Sequence, residues 1–214
     1  TRVGNRSTPA CRANSDTWRP ILSIFDPAVS DIRPEASLAL IGRNAAGEIV
    51  ATQAARLYDW TQSNLKIESE SLRIFYRDPE TQKRPGERCV VTAPAAETIF
   101  GRCVYSGAVW FRPDYRKRWL TGILPRISRA LAYTRWSSDL TCTFMHERII
   151  AGGTAARVGY KNVDYAVTLY NAPISDYYPF GLLWIRTDEM LADIEQFFEL
   201  PDAKVDPVVL QRTA

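Results

Sequence analysis

Residues 107–133 read GAVWFRPDYRKRWLTGILPRISRALAY, and the reading of that stretch decides the fold. Ala108 and Trp110 alternate with Val109 and Phe111, so both faces of the segment are apolar, as in the centre of a sheet. Pro113 and Asp114 stop the strand. From Leu120 onward, Leu124, Ile127 and Leu131 recur at helical spacing, with Ile123 and Ala130 widening the stripe. Pro125 removes one N–H donor and crowds the carbonyl of Thr121. If Gly122 caps the helix, Pro125 lies harmlessly in the first turn; otherwise the helix kinks. Between strand and helix, Tyr115 to Thr121 place several cations ahead of a helix N-terminus. Free backbone N–H groups and the helix dipole both favour an anion there.

The chain has 214 residues, 46% hydrophobic and 24% charged, the profile of a globular protein with a sizeable core. A net charge of +3 is too small to argue for nucleic acid. The stretch 112–135 nevertheless holds Arg116, Lys117, Arg118, Arg126 and Arg129 against the single acid Asp114. Such a patch suits a phosphate-bearing small molecule at least as well as a polymer. Cys11, Cys89, Cys103 and Cys142 show neither metal-type pairing nor dense disulfide spacing. We therefore expect free thiols and a cytoplasmic protein. No apolar run reaches membrane-spanning length, and no metal constellation competes for the chemistry.

Taken in order, residues 1–17 are a polar arm, followed by the apolar patch Ile21, Leu22, Ile24 and Phe25. Segments 38–43 and 48–58 form a hairpin around Asn44-Ala45-Ala46-Gly47. Residues 59–101 are an insertion, with Leu65, Leu72, Phe75 and Tyr76 on one amphipathic helix; it either covers a cleft or extends the core. Segment 102–112 is the central strand and 119–135 its helix. A strand at 139–145 and a helix at 146–158, closed by Gly159-Tyr160, come next. Strands at 163–170 and 180–186 pair around the loop NAPISDYYP, and Thr187-Asp188-Glu189 opens a last helix. The expected organisation is one domain over 1–198 and a tail over 199–214.

The strand–turn–helix of 107–133 resembles the acyl-CoA-binding motif of the GNAT superfamily of N-acyltransferases, whose turn reads Gln/Arg-x-x-Gly-x-Gly/Ala. Arg116 matches the first position, whereas Trp119 and Thr121 stand in place of the two glycines. IIAGGTAARVGY, ending in Gly159-Tyr160, resembles the later helix of the same superfamily. The resemblance implies an α/β fold with a mixed central sheet flanked by helices, here with a helical insertion before the central strand. It also implies a V-shaped gap between the strands at 102–112 and 139–145 that admits acetyl-CoA or another acyl-CoA. By the same resemblance, Trp110 and Phe111 offer backbone groups to the pantetheine arm, and Arg116, Lys117, Arg118, Trp119, Leu120 and Thr121 hold the phosphates. The glutamate that some branches carry on the central strand falls near Tyr105, and the tyrosine acid of the later helix falls near Ala155. Tyr105 and His146 are therefore the catalytic candidates. His146 is the only histidine, with a pKa range suited to proton transfer; Glu97, Tyr115 and Tyr170 are weaker ones. The acceptor implied is an amine on a small molecule or peptide, with membrane and nucleic acid disfavoured and a homodimer left open. The alternative is a non-catalytic GNAT-like domain that binds a partner or another ligand, as Trp119 suggests.

Overall fold

The computed structural model describes residues 16–17, 21–116, 119–199 and, as backbone only, 209–213. Its strands are β1 (Ser37–Arg43), β2 (Ile49–Trp60), β3 (Arg88–Val91), β4 (Gly101–Phe111), β5 (Leu140–His146), β6 (Asn162–Ala172), β7 (Ser175–Arg186) and β8 (Val209–Thr213). They form one sheet in the order β3-β6-β7-β5-β4-β2-β1-β8. The pair β4–β5 is parallel and every other pair is antiparallel. The helices are α1 (Leu65–Glu70), α2 (Pro79–Gln82), α3 (Ala95–Thr98), α4 (Leu120–Trp136), α5 (Glu147–Ala151), α6 (Thr154–Arg157) and α7 (Thr187–Glu199).

Helices cover both faces, which is why the central strands carry apolar residues at successive positions. On one face Cys103, Tyr105, Cys142, Phe144 and Leu182 pack with Phe25 and with residues of the insertion. On the other, Val104, Ala51 and Ala55 pack under Leu120, Leu124 and Trp136 of α4. Leu183 and Ile185 pack there under Ile150, Val158 and Met190. Cys89, Cys103 and Cys142 are buried free thiols; Cys11 lies outside the described residues. Among the described residues, no helix is long and apolar enough to cross a membrane, and no side-chain cluster could hold a metal ion.

Four expectations change. The insertion extends the core: Leu65, Leu72, Phe75, Tyr76, Cys89, Val91 and Ile99 are all buried, and β3 pairs with β6 at the sheet edge. Its helix is shorter than the apolar spacing suggested, because Leu72 takes a left-handed φ of 62° just past α1. The helix expected over 146–158 is two short ones, broken where Gly153 adopts φ 75°. The loop NAPISDYYP is mostly strand, since β6 and β7 run on to the pair Ala172↔Ser175. Within the expected tail, residues 209–213 pair with β1 and occupy the edge that β1 would otherwise leave open.

Candidate functional site

β4 and β5 are in register at only three positions, Cys103↔Leu140, Val104↔Thr141 and Tyr105↔Cys142. Beyond Tyr105 they part. β5 stays paired with β7 as far as His146↔Phe180, and β4 stays paired with β2 as far as Phe111↔Ala51. Two local features accompany the parting. A bulge in β4 sets Ala108 and Val109 opposite Gln53, with Ala108 at φ 50° and its carbonyl accepting from Thr52 Oγ1. Gly107 also lets the Phe25 ring press on the strand, for a Cβ there would lie 2.6 Å from that ring. At the apex the Tyr105 hydroxyl accepts the Phe144 N–H at 3.1 Å, a donor on the strand that a continuous ladder would have used.

The resulting cleft has a volume of about 1260 Å³ and is lined from both strands. Tyr105, Trp110, Phe111, Arg116, Trp119, Thr121 and His146 all border it. Leu120, the first residue of α4, is buried against the sheet and does not line the cleft. Lys117 and Arg118 lie outside the described residues. Glu97, Tyr115 and Tyr170 do not line the cleft: Glu97 pairs with Lys66, Tyr115 lies under the Arg112 guanidinium, and Tyr170 lies under that of Arg88.

The turn keeps the backbone shape that glycine would provide. Trp119 caps α4 with φ 61° and ψ −10°, and its indole turns outward, 66% exposed, at the mouth of the cleft. In the first turn of α4 the Gly122 N–H donates to the Trp119 carbonyl at 2.8 Å, while those of Leu120 and Thr121 have no intrahelical acceptor by geometry. Pro125 is an interior residue of α4 and not a first-turn one, because the helix starts at Leu120. Arg116 leans back, its Nε donating to the Phe111 carbonyl at 3.1 Å and its Nη2 to the Thr17 carbonyl at 3.4 Å. Sequence reasoning missed Arg157 and Thr154, which border the cleft from α6. α6 comes close to the start of α4 at Gly122, where an added Cβ would lie in ordinary contact with the Arg157 carbonyl, 3.5 Å away.

Among the described residues, part of the basic patch expected over 112–135 is taken up by internal pairs. Arg126 makes a two-pronged pair with Asp193 at 2.9 and 2.8 Å, and Arg129, 1% exposed, donates to the Val158 carbonyl and reaches Asp193 at 3.4 Å. Arg112 pairs with Glu48 and Asp114. Next to the buried pair, the Tyr160 hydroxyl faces Arg129 and Ser106 without closing a full hydrogen bond. Ser106 accepts from Gln53 Nε2 at 2.9 Å, and Gln53 Oε1 is left without a partner. Gln53, Ser106 and Tyr160 all line the cleft, with Gln53 Oε1 and the Tyr160 hydroxyl buried behind its surface.

The candidate proton-transfer groups differ in setting. Burial holds the Tyr105 hydroxyl pKa well above 10.0, so it is a protonated donor at neutral pH. His146 caps α5, its Nδ1 accepting from the Arg148 N–H at 3.1 Å, which leaves Nε2 as the other ring nitrogen. Its ring stands edge-on to Tyr178 with centroids 4.6 Å apart.

No protein-family profile and no curated protein matches this sequence. Among solved structures, the chain is similar to spermidine N-acetyltransferase from Vibrio cholerae in complex with CoA and spermine. That likeness has 8% identity and a TM-score of 0.41, over 73% of this chain and 69% of the other. It is also similar to the aminoglycoside acetyltransferase AAC(6')-Ib in complex with coenzyme A and kanamycin, at 11% identity and a TM-score of 0.43, over 74% and 71%. Likeness of this size carries no argument about chemistry, and the fold is read from the sheet itself. A mixed sheet with one parallel pair parts into a cleft beside the start of the connecting helix, which is the arrangement that the sequence resemblance to the GNAT superfamily implies.

Proposed function

We propose that the protein transfers an acyl group from acyl-CoA to an amine. The observation that carries the reading is the parting of β4 and β5 beside the N-terminus of α4. The residues present fit the cosubstrate. Strand edges freed beyond Tyr105 offer backbone donors and acceptors to an amide-bearing arm. The first turn of α4, with Thr121, Arg116 and Arg157 around it, suits phosphates. In the transfer the amine nitrogen bonds to the thioester carbon, the carbon–sulfur bond breaks, and the sulfur leaves with the bonding pair. His146 takes the proton that the amine loses once its Nδ1 has given up the Arg148 N–H, and Tyr105 donates toward the developing negative charge.

Calorimetric titration with acetyl-CoA and with longer acyl-CoAs tests this. Saturable heat is expected, and its absence at millimolar ligand overturns the proposal. A second reading, a non-catalytic domain that binds a partner or another ligand, draws support from the indole at position 119 and from the tethered Arg116. Turnover of acetyl-CoA with any amine would exclude it.

A further inference from the structure

The end of the cleft away from α4 is built from rings. Phe25 lies 6.0 Å from Tyr105, Tyr105 lies 5.6 Å from Phe144, and Phe144 lies 5.9 Å from Phe180. From Phe180 the series continues to Tyr178 at 4.6 Å and to His146 at 4.6 Å. All six rings border the cleft. Their alternation along β4, β5 and β7 places them on the face that carries the N-terminal segment, opposite the face that α4 covers. Ile21, Leu22 and Ile174 fill the spaces beside them. Among the described residues, no aspartate or glutamate lines the cleft at any point.

We infer that the acceptor is a primary amine borne on an aromatic or alkyl-aromatic body, not a polyamine; this rests on the acyl-transfer reading of the same cleft. A wall of edge-on and tilted rings recognises a flat apolar body through area and quadrupole contacts. A polycation would have to shed water from several ammonium groups at once, and this lining returns no carboxylate to any of them. The one amine to be acylated needs no such partner, because it must reach the carbonyl uncharged. His146, at the end of the ring series, meets it where its proton is to be lost.

The test is equilibrium binding of 2-phenylethylamine, tryptamine, spermidine and kanamycin to the intact protein, measured by calorimetry with and without acetyl-CoA. Aromatic amines are expected to bind about tenfold or more tightly than either polyamine, the scale of one or two ring contacts. Tyr178→Ala is expected to weaken 2-phenylethylamine about tenfold and leave the acetyl-CoA heat in place, and Tyr178→Glu to bring in spermidine. Tyr178→Leu serves if the alanine variant melts early. Equal or tighter binding of spermidine or kanamycin by the unaltered protein overturns the inference. Polyamine turnover in preference to aromatic amines would sink it while sparing acyl transfer. Aromatic-amine binding with no acetyl-CoA heat would sink acyl transfer and leave the ring-lined amine site standing.

Discussion

At position 119 an indole rides on a backbone conformation that L-residues avoid at roughly 1–2 kcal/mol, with φ 61°. Glycine would remove that strain while adding unfolded-state entropy of about 0.5–1 kcal/mol. The two nearly cancel, so Trp119→Gly should leave Tm within a few degrees of the parent. Removing the indole from the mouth of the cleft should at the same time tighten acetyl-CoA binding, and a weaker calorimetric Kd would show that the indole is part of the site. At the apex, Tyr105→Phe removes the acceptor for the Phe144 N–H. A buried donor left unmet costs about 1–3 kcal/mol. The variant should melt earlier, and its kcat should fall if the hydroxyl also donates during transfer. A lower Tm with unchanged kcat would assign Tyr105 to architecture alone.

Among the elements, α4 and α7 are locked by Asp193 beneath Arg126 and Arg129, where two guanidinium groups share one carboxylate out of water. Asp193→Ala would strand both cations and should destabilise the protein by about 3–5 kcal/mol, read as a drop in the denaturant midpoint. The strand and helix of 107–133 were legible in the sequence because apolar alternation and helical spacing are local signals. The hairpin at Asn44 to Gly47 and the start of α7 were legible for the same reason. The buried lock was not, since Arg126 and Asp193 are separated by 67 residues and a lone arginine reads as surface. Nor was the bulge at Ala108, whose left-handed φ is imposed by tertiary packing and not by residue type. Tyr105, Trp119 and Thr121 were singled out by the family resemblance and His146 as the only histidine, and all four border one cleft; Arg157 and Tyr160 lie within IIAGGTAARVGY, which was read for its helix and its closing turn and not for side chains facing a cleft.

For the molecule as a whole, burial pushes the thiols of Cys89 and Cys103 up to about 12 from an ordinary 9.0, and the Tyr160 hydroxyl up to about 12 from 10.0. Each group ionises first in the unfolded chain, so its contribution is complete below the unfolded pKa and is lost as pH rises. Stability should therefore fall by about 1.4 kcal/mol per pH unit for each such group, between pH 9 and 12 for the two thiols and between pH 10 and 12 for Tyr160. Cys89→Ala with Cys103→Ala should flatten that decline in denaturant titrations, and a slope unchanged by the pair would contradict the assignment. The sheet is two antiparallel blades, β8-β1-β2-β4 and β5-β7-β6-β3, stitched by three rungs. The insertion leaves the first blade at Trp60, delivers β3 to the outer edge of the second, and returns at Gly101. Asp139 fastens the same end by accepting the Arg102 N–H at 2.8 Å. The blades are thus riveted where they meet, and each arm of the V is backed along its length by a paired neighbour. Such an aperture cannot be pried wider by what enters it. Ligand selection then falls to side-chain rotation at a fixed gauge, and scattering profiles with and without acetyl-CoA should superpose.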